Sequence, residues 1–338
     1  MNALVVVRPR LLIVEGRPRV ASFETLPSLV GPGDVVVLND AATFPGSVHF
    51  EHGGATLEAR LFEKTPRGFK AVLFGPGDFH TRTEHRAPPP RVEAGARLRL
   101  AGLEATVTAV ASRSPRLVEL AFDVDDATQW SALYRHGQVV QYAHQPTQLP
   151  LWAVQNVYGE RPWAAELPSA GHHLTFQLLE AMEQRGATVA RLTHATGLSA
   201  TGDEVLDASL PWPERYSIPE ETVAAVAEAK RVVAVGTSVM RALEAYAASG
   251  QREGVAVEAI EPDTKLRVVD ALITGIHSPQ ESHYRLLGAL LPREKLAEAM
   301  SLALAAGLEP HEFGDVAFLA REQPLPANSG ERSARSAG

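Results

Sequence analysis

A β-branched run, Arg231-Val-Val-Ala-Val235, meets Gly236-Thr237-Ser238 and passes at once into a helical pattern that carries Arg241. Such a junction aims backbone N–H groups, a hydroxyl and the positive end of a helix at one spot. That spot suits the anionic or polar end of a small substrate. A second junction has the same form, since Leu266–Thr274 runs into Gly275-Ile276-His277-Ser278-Pro279. His173 precedes a third helical stretch, in Gly171-His172-His173-Leu174-Thr175. An imidazole moves protons near neutral pH. A lone histidine is more often a packed or capping residue, but two at strand-to-helix entrances favour a proton-transfer role, because such corners converge at one edge of an α/β sheet. His173 and His277 are therefore the candidate acid and base. Thr237 and Ser238 suit helix capping and ligand binding with the same geometry. Arg241, one turn into its helix, is placed to meet a carboxylate or a helical acid such as Glu244.

The elements that must position these residues can be read from period and punctuation. Val35–Leu38 is a buried-strand run that ends in Asn39 and Asp40 and follows the turn Gly31-Pro-Gly-Asp34. Over residues 46–125 short alternating segments (56–62, 69–74, 97–100, 105–110 and 117–122) are separated by Gly and Pro turns. Five or six such strands without a helical signal predict a small antiparallel barrel. A barrel between one strand and a later α/β half reads as an insertion. The expected division is an α/β main domain over 1–45 and 126–322, an inserted β-barrel over 46–125, and a disordered tail over 323–338, rich in Pro, Ser, Gly and Arg. In the later half, Thr175–Arg185 reads as an amphipathic helix capped by Gly186, and 187–192 as a strand. Ile218-Pro219-Glu220-Glu221 opens a helix through Lys230, 294–306 is a further helix, and 315–319 a last strand.

Composition narrows the chemistry. The chain of 338 residues has no cysteine, which excludes disulfides, thiolate zinc sites and cysteine nucleophiles. Histidines are plentiful but badly spaced for a metal: His49 and His52 point to opposite faces of a strand, and His172 and His173 are neighbours. No apolar run reaches the roughly 18 residues of a membrane span, and no signal peptide is apparent, so a cytoplasmic protein is expected. The net charge of −8 argues mildly against nucleic acid, although a local basic patch can act within an acidic total. Neither a dinucleotide fingerprint nor a P-loop is present.

At its corners the sequence resembles the S-adenosylmethionine:tRNA ribosyltransferase-isomerases of queuosine biosynthesis. Gly33-Asp-Val-Val-Val-Leu-Asn-Asp40 is similar to the family's G-D-L-L-V-F-N-D, and Leu167-Pro-Ser-Ala-Gly-His-His-Leu-Thr175 to A-P-T-A-G-L-H-F-T. Val233–Glu244 is similar to I-A-V-G-T-T-S-V-R-T-L-E, Val268–Pro279 to V-V-D-A-L-I-T-N-F-H-L-P, and Phe313-Gly-Asp315 to Y-G-D. The resemblance implies an α/β domain carrying an inserted β-barrel. It also implies transfer and isomerisation of the ribosyl group of S-adenosylmethionine onto a 7-aminomethyl-7-deazaguanine base in the anticodon region of tRNA. Epoxyqueuosine forms, and adenine and methionine are released. No metal is required. On this reading His173 and His277 transfer protons. Gly171, Thr175, Gly236, Thr237, Ser238 and Arg241 hold the cosubstrate, and Asn39 and Asp40 bind ribose hydroxyls or the acceptor amine.

Some family positions are changed. N-D-T-R becomes Asn39-Asp40-Ala41-Ala42, T-L-H-V-G becomes Thr193-His194-Ala195-Thr196-Gly197, and H-x-M-H-x-E keeps only its acid, Glu214. These changes motivate a second reading, a paralogue that binds S-adenosylmethionine or a related nucleoside and acts on a non-tRNA acceptor or has lost activity. A third, a serine hydrolase using Ser238, Asp270 and His277, follows the hydrolase residue order but lacks the second glycine of the nucleophile elbow, which is Met240.

Overall fold

The computed structural model describes residues 9–277, 282–310 and 313–321; the expected tail and the Ser278-Pro279 corner lie outside the described residues. Nine strands form the main sheet: β1 (Arg10–Val14), β2 (Arg19–Ser22), β3 (Asp34–Asn39), β4 (Thr188–His194), β5 (Glu214–Ser217), β6 (Arg231–Val235), β7 (Glu253–Ala256), β8 (Ala271–Gly275) and β9 (Val316–Ala320). Their order is β7-β5-β4-β3-β6-β8-β9-β1-β2. The central strands β4, β3, β6 and β8 are parallel to one another, so their C-terminal ends share one edge. Strand β9 runs antiparallel to β8 with Gly275 opposite Val316, which brings the entry to β9 to that same edge. Strands β3, β6 and β8 are buried on both faces, as their nearly unbroken Val, Ile, Leu and Ala composition requires, whereas β4 exposes Thr188 and Arg191. One apolar core fills each side of the sheet, the first around Val239, Leu243 and Leu296 and the second around Phe23, Leu179 and Met182.

A six-stranded antiparallel sheet forms the nearly closed barrel, in the order 47–52, 55–64, 68–74, 117–122, 103–110, 97–100, with its first and last strands in contact. Its core also takes in Leu198, Leu206 and Trp212 from the segment after β4. Burial pushes the Glu58 carboxyl up, but Arg60 and Arg86 outweigh that and hold it near about 2.

Two expectations change. The run Leu266–Thr274 is a strand only from Ala271, because the Glu244 carboxylate accepts the backbone N–H groups of Arg267, Val268 and Val269 at 2.8–3.0 Å and holds them out of the ladder. A helix at Asp126–His136, capped by the Asp125 carboxylate on Thr128 N, follows the barrel where no helix was expected.

Candidate active site

A cavity of about 650 Å³ opens at the C-terminal edge of the central strands. Its walls come from the segment after the unexpected helix (Val140, Gln141, Tyr142, His144), from Glu166–Ala170, from Thr196–Ser199, and from the corners Val235–Ser238 and Thr274–His277. The helix Thr237–Ser249 begins in this wall. Gly236 precedes it at φ +96°, a backbone conformation that favours glycine, and packs the corner against Ala170 of the 169–171 turn.

Of the residues expected at the site, Gly236, Thr237, Ser238, Arg241 and His277 line the cavity. His277 Nε2 pairs with the Thr274 hydroxyl at 2.9 Å, and its ring stacks on His283 at 5.1 Å between centroids. Arg241 is buried, and its terminal nitrogens donate to the Glu214 carboxylate and to the carbonyls of Trp212 (3.2 Å) and Ala256 (3.0 Å). Its partner is thus Glu214, across the sheet, and not Glu244 on its own helix. Burial raises the Glu214 pKa, and Arg241 opposes that rise. Beside this pair His194 is fully buried, its Nε2 3.9 Å from Glu214. Burial first and the charge of Arg241 second lower its pKa from 6.5 to about 3.

Asn39, Asp40, Gly171, His173 and Thr175 are not in the cavity wall. The Asn39 amide donates to His194 O (2.9 Å) and Ser238 Oγ (3.3 Å) and accepts from Ala41 N and His194 N. An amide so engaged acts on the site through Ser238. Asp40 is buried and accepts the Thr193 hydroxyl at 2.6 Å; burial raises its pKa. Gly171 gives way to Tyr158, whose hydroxyl lies 1.8 Å from where a Cβ would be. Thr175 caps the helix Phe176–Gln184 on Leu178 N at 3.3 Å. The His173 Nε2 faces the Gly314 carbonyl at 2.9 Å, which makes Nε2 the protonated nitrogen, and the ring packs on Phe23. It fastens the entry to β9 at the active edge. Sequence reasoning passed over Tyr142 and Glu166, and also His283 and Arg285, which line the cavity from the helix Ser282–Leu287 after the second corner.

The hydrolase geometry is not formed. Ser238 Oγ meets Asn39, His277 meets Thr274, and Asp270 accepts Val232 N at 2.9 Å before the start of β8, while His277 follows its end. Five residues of strand separate acid and imidazole by roughly 17 Å.

Fold and cavity define the class: an α/β enzyme with a cavity of mixed polar and apolar lining at the edge of its central sheet. The family model described as "Queuosine biosynthesis protein" matches residues 7–319, and the chain belongs to that family. It is 34% identical over 324 residues to the S-adenosylmethionine:tRNA ribosyltransferase-isomerase of Rubrobacter xylanophilus, covering 92% of this chain and 90% of that protein. It is 34% identical over 340 residues to a protein of the same name from Thermus thermophilus, covering 92% of each. A crystal structure of an S-adenosylmethionine tRNA ribosyltransferase from Thermotoga maritima is similar with a TM-score of 0.48 at 22% identity, covering 92% of each chain.

Proposed function

We propose that this enzyme transfers the ribosyl moiety of S-adenosylmethionine to a 7-aminomethyl-7-deazaguanine base in the anticodon region of tRNA. The ribose isomerises to give epoxyqueuosine, and adenine and methionine leave. The reaction takes place in the cytoplasm. The observation that carries this reading is one cavity that joins a helix N-terminus, hydroxyls, an imidazole and a carboxylate at the sheet edge, in a chain of this family. Its volume falls in the range of small-molecule sites.

The first turn of the helix at Thr237, with the Thr237 and Ser238 hydroxyls, takes the carboxylate end of the cosubstrate. Asn39 orients Ser238 from behind. His277, aligned by Thr274, exchanges the proton beside the sulfonium, whose positive charge acidifies that position. His173 supports this edge through Gly314. Arg241, bound to Glu214, shapes the wall and leaves anion binding to the helix end. Incubation with S-adenosylmethionine and tRNA bearing the aminomethyl base should release adenine and methionine in equal amounts. Release of S-adenosylhomocysteine, or of neither product beside an active relative, refutes the reading.

A second reading, action on a non-tRNA acceptor, is favoured by the loss of arginine in Asn39-Asp40-Ala41-Ala42 and by the net charge of −8. Tight calorimetric binding of S-adenosylmethionine without salt-sensitive tRNA binding supports it.

A further inference from the structure

Three arginines stand on one face of the main sheet beside the cavity. Arg191 of β4 and Arg215 of β5 share that face, because Thr193 pairs with Ser217 and each arginine lies two residues before one of them. Arg161 reaches the same face from the strand Arg161–Ala164, and its Nη1 donates to Ser217 Oγ at 3.5 Å. Two of the guanidiniums gather at the Trp163 indole, Arg215 at 3.8 Å from the ring centroid and Arg161 at 5.8 Å. Arg161 and Arg191 are exposed, and Arg215 and Trp163 are half-buried. The acidic groups around them are engaged elsewhere or stand off. Glu63, whose charge acts on Arg215, is bridged to Lys70 at 2.7 Å. Asp40, which feels Arg161 and Arg191, is buried, and burial raises its pKa. Glu160 neighbours Asp40, and Glu253 accepts the Ser217 hydroxyl at 3.4 Å. Among the described residues no carboxylate forms an ion pair with Arg161, Arg191 or Arg215.

A guanidinium held against an aromatic ring is oriented through its flat face and keeps its edge N–H donors for an anion such as phosphate. The face also adjoins the cavity. Arg215 lines a small cleft whose walls Gly197, Leu198 and Glu214 are walls of the cavity as well. The strand Arg161–Ala164 pairs with Ala41–Thr43, and Thr43 lines the cavity. On a chain of net charge −8, such a cluster supplies the local charge complementarity that an RNA backbone requires. The reaction proposed above brings one base into the cavity and leaves the phosphates beside it outside. We propose that Arg161, Arg191 and Arg215 bind phosphates of the acceptor RNA next to the reacting base, with Trp163 as the positioning residue for the two guanidiniums gathered on it. This inference rests on that reaction.

The test is equilibrium binding of the full chain to a fluorescent anticodon stem-loop RNA carrying the aminomethyl base, followed by anisotropy over a series of salt concentrations. Arg161→Gln/Arg191→Gln removes two exposed charges and should leave the melting curve unchanged. It should weaken binding about tenfold or more near about 0.1 M salt and lower the slope of log K against log salt by about 1.4–1.8, the share of two phosphate contacts. Arg17→Gln/Arg19→Gln removes the same charge at β2, the opposite edge of the sheet, and should stay within about twofold of wild type. Trp163→Leu keeps every charge; it should weaken binding about threefold or more with the slope unchanged, and unaltered affinity overturns its positioning role. Equal losses in the two double variants, or wild-type affinity in Arg161→Gln/Arg191→Gln, overturn the proposal. Binding and turnover are read separately. Weakened RNA binding in that variant, with no adenine released by wild type, refutes the reaction and keeps the surface. Turnover by wild type, with RNA binding indifferent to the substitutions, refutes the surface alone.

Discussion

Protonation of His194 should weaken the fold in mild acid, by an amount that follows from its surroundings. The ring is 0% exposed, and neither nitrogen has a hydrogen-bond partner. With Arg241 beside it, the pKa falls from 6.5 to about 3. The folded value lies below the unfolded one, so the neutral ring gives its full contribution above about pH 6.5. Below that, the unfolded chain takes up the proton first and stability falls by about 1.4 kcal/mol per pH unit, until the folded pKa is reached. Between pH 7 and pH 5 the loss is about 2 kcal/mol. His194→Leu removes the titration and leaves no polar ring atom without a partner, so it should cost little at pH 7. Urea unfolding followed by circular dichroism at both pH values, on both proteins, isolates the term, because other titrating groups are common to the two. The stability of the variant relative to wild type should improve by about 2 kcal/mol on going to pH 5. An equal difference at the two pH values refutes the reasoning.

His277→Gln should lower kcat by about 10²–10⁴ with an unchanged melting curve, as expected of a proton-transfer group on the cavity wall and not in the core. Glu214→Gln leaves Arg241 buried beside an uncharged partner and should cost about 3–5 kcal/mol in chemical unfolding. Gly171→Ala pushes a methyl into the Tyr158 hydroxyl and should cost about 1–3 kcal/mol. Tyr158→Phe, which removes a buried hydroxyl without a hydrogen-bond partner, should restore part of that loss in the double variant. Thr175→Ala should lower stability by about 1 kcal/mol while KM for S-adenosylmethionine stays constant, which separates capping from binding.

The corners were legible because the parallel strands β3 and β6 are buried on both faces and read as unbroken apolar runs, so Val35–Leu38 and Arg231–Val235 announce where the chain must turn. The barrel was legible from alternation, which the pleat imposes on strands with one wet face. The short strands Glu214–Ser217 and Glu253–Ala256 carry no such pattern; they form through backbone pairing with each other and, for Glu214–Ser217, with the end of β4. Where each corner residue points was harder to read. Asn39, His173 and His277 stand at one sheet edge, yet two of them turn to partners 155 and 141 residues distant, His194 and Gly314. The same separation hid the true partner of Arg241. Helical spacing offers Glu244, but that carboxylate reaches the amides of 267–269 and leaves the guanidinium to Glu214. Glu166 and Tyr142 are brought together by folding alone, 24 residues apart on segments with no periodic signal.

The barrel supplies none of the cavity-lining residues among those described; it reaches the cavity wall through Arg60, whose guanidinium lies over the Tyr142 ring at 5.1 Å, and through the segment 196–212. That segment lines the cavity with Thr196–Ser199 and Leu210 and buries Leu198, Leu206 and Trp212 in the barrel core. Polar contacts lock the same junction. Arg116 donates to Thr201 O at 2.7 Å, Ser114 donates to Asp203 at 2.6 Å, and Gly202 lies against the Thr83 carbonyl, 2.2 Å from where a Cβ would stand. Ser199 and Ala200, whose backbone N–H groups donate to Glu166 and to the Tyr142 hydroxyl, are therefore held by the barrel on one side and by β4 on the other. Packed contacts of this kind transmit displacement, so the barrel sets the position of the Glu166 carboxylate, and the inserted domain acts as a brace for one wall of the cavity.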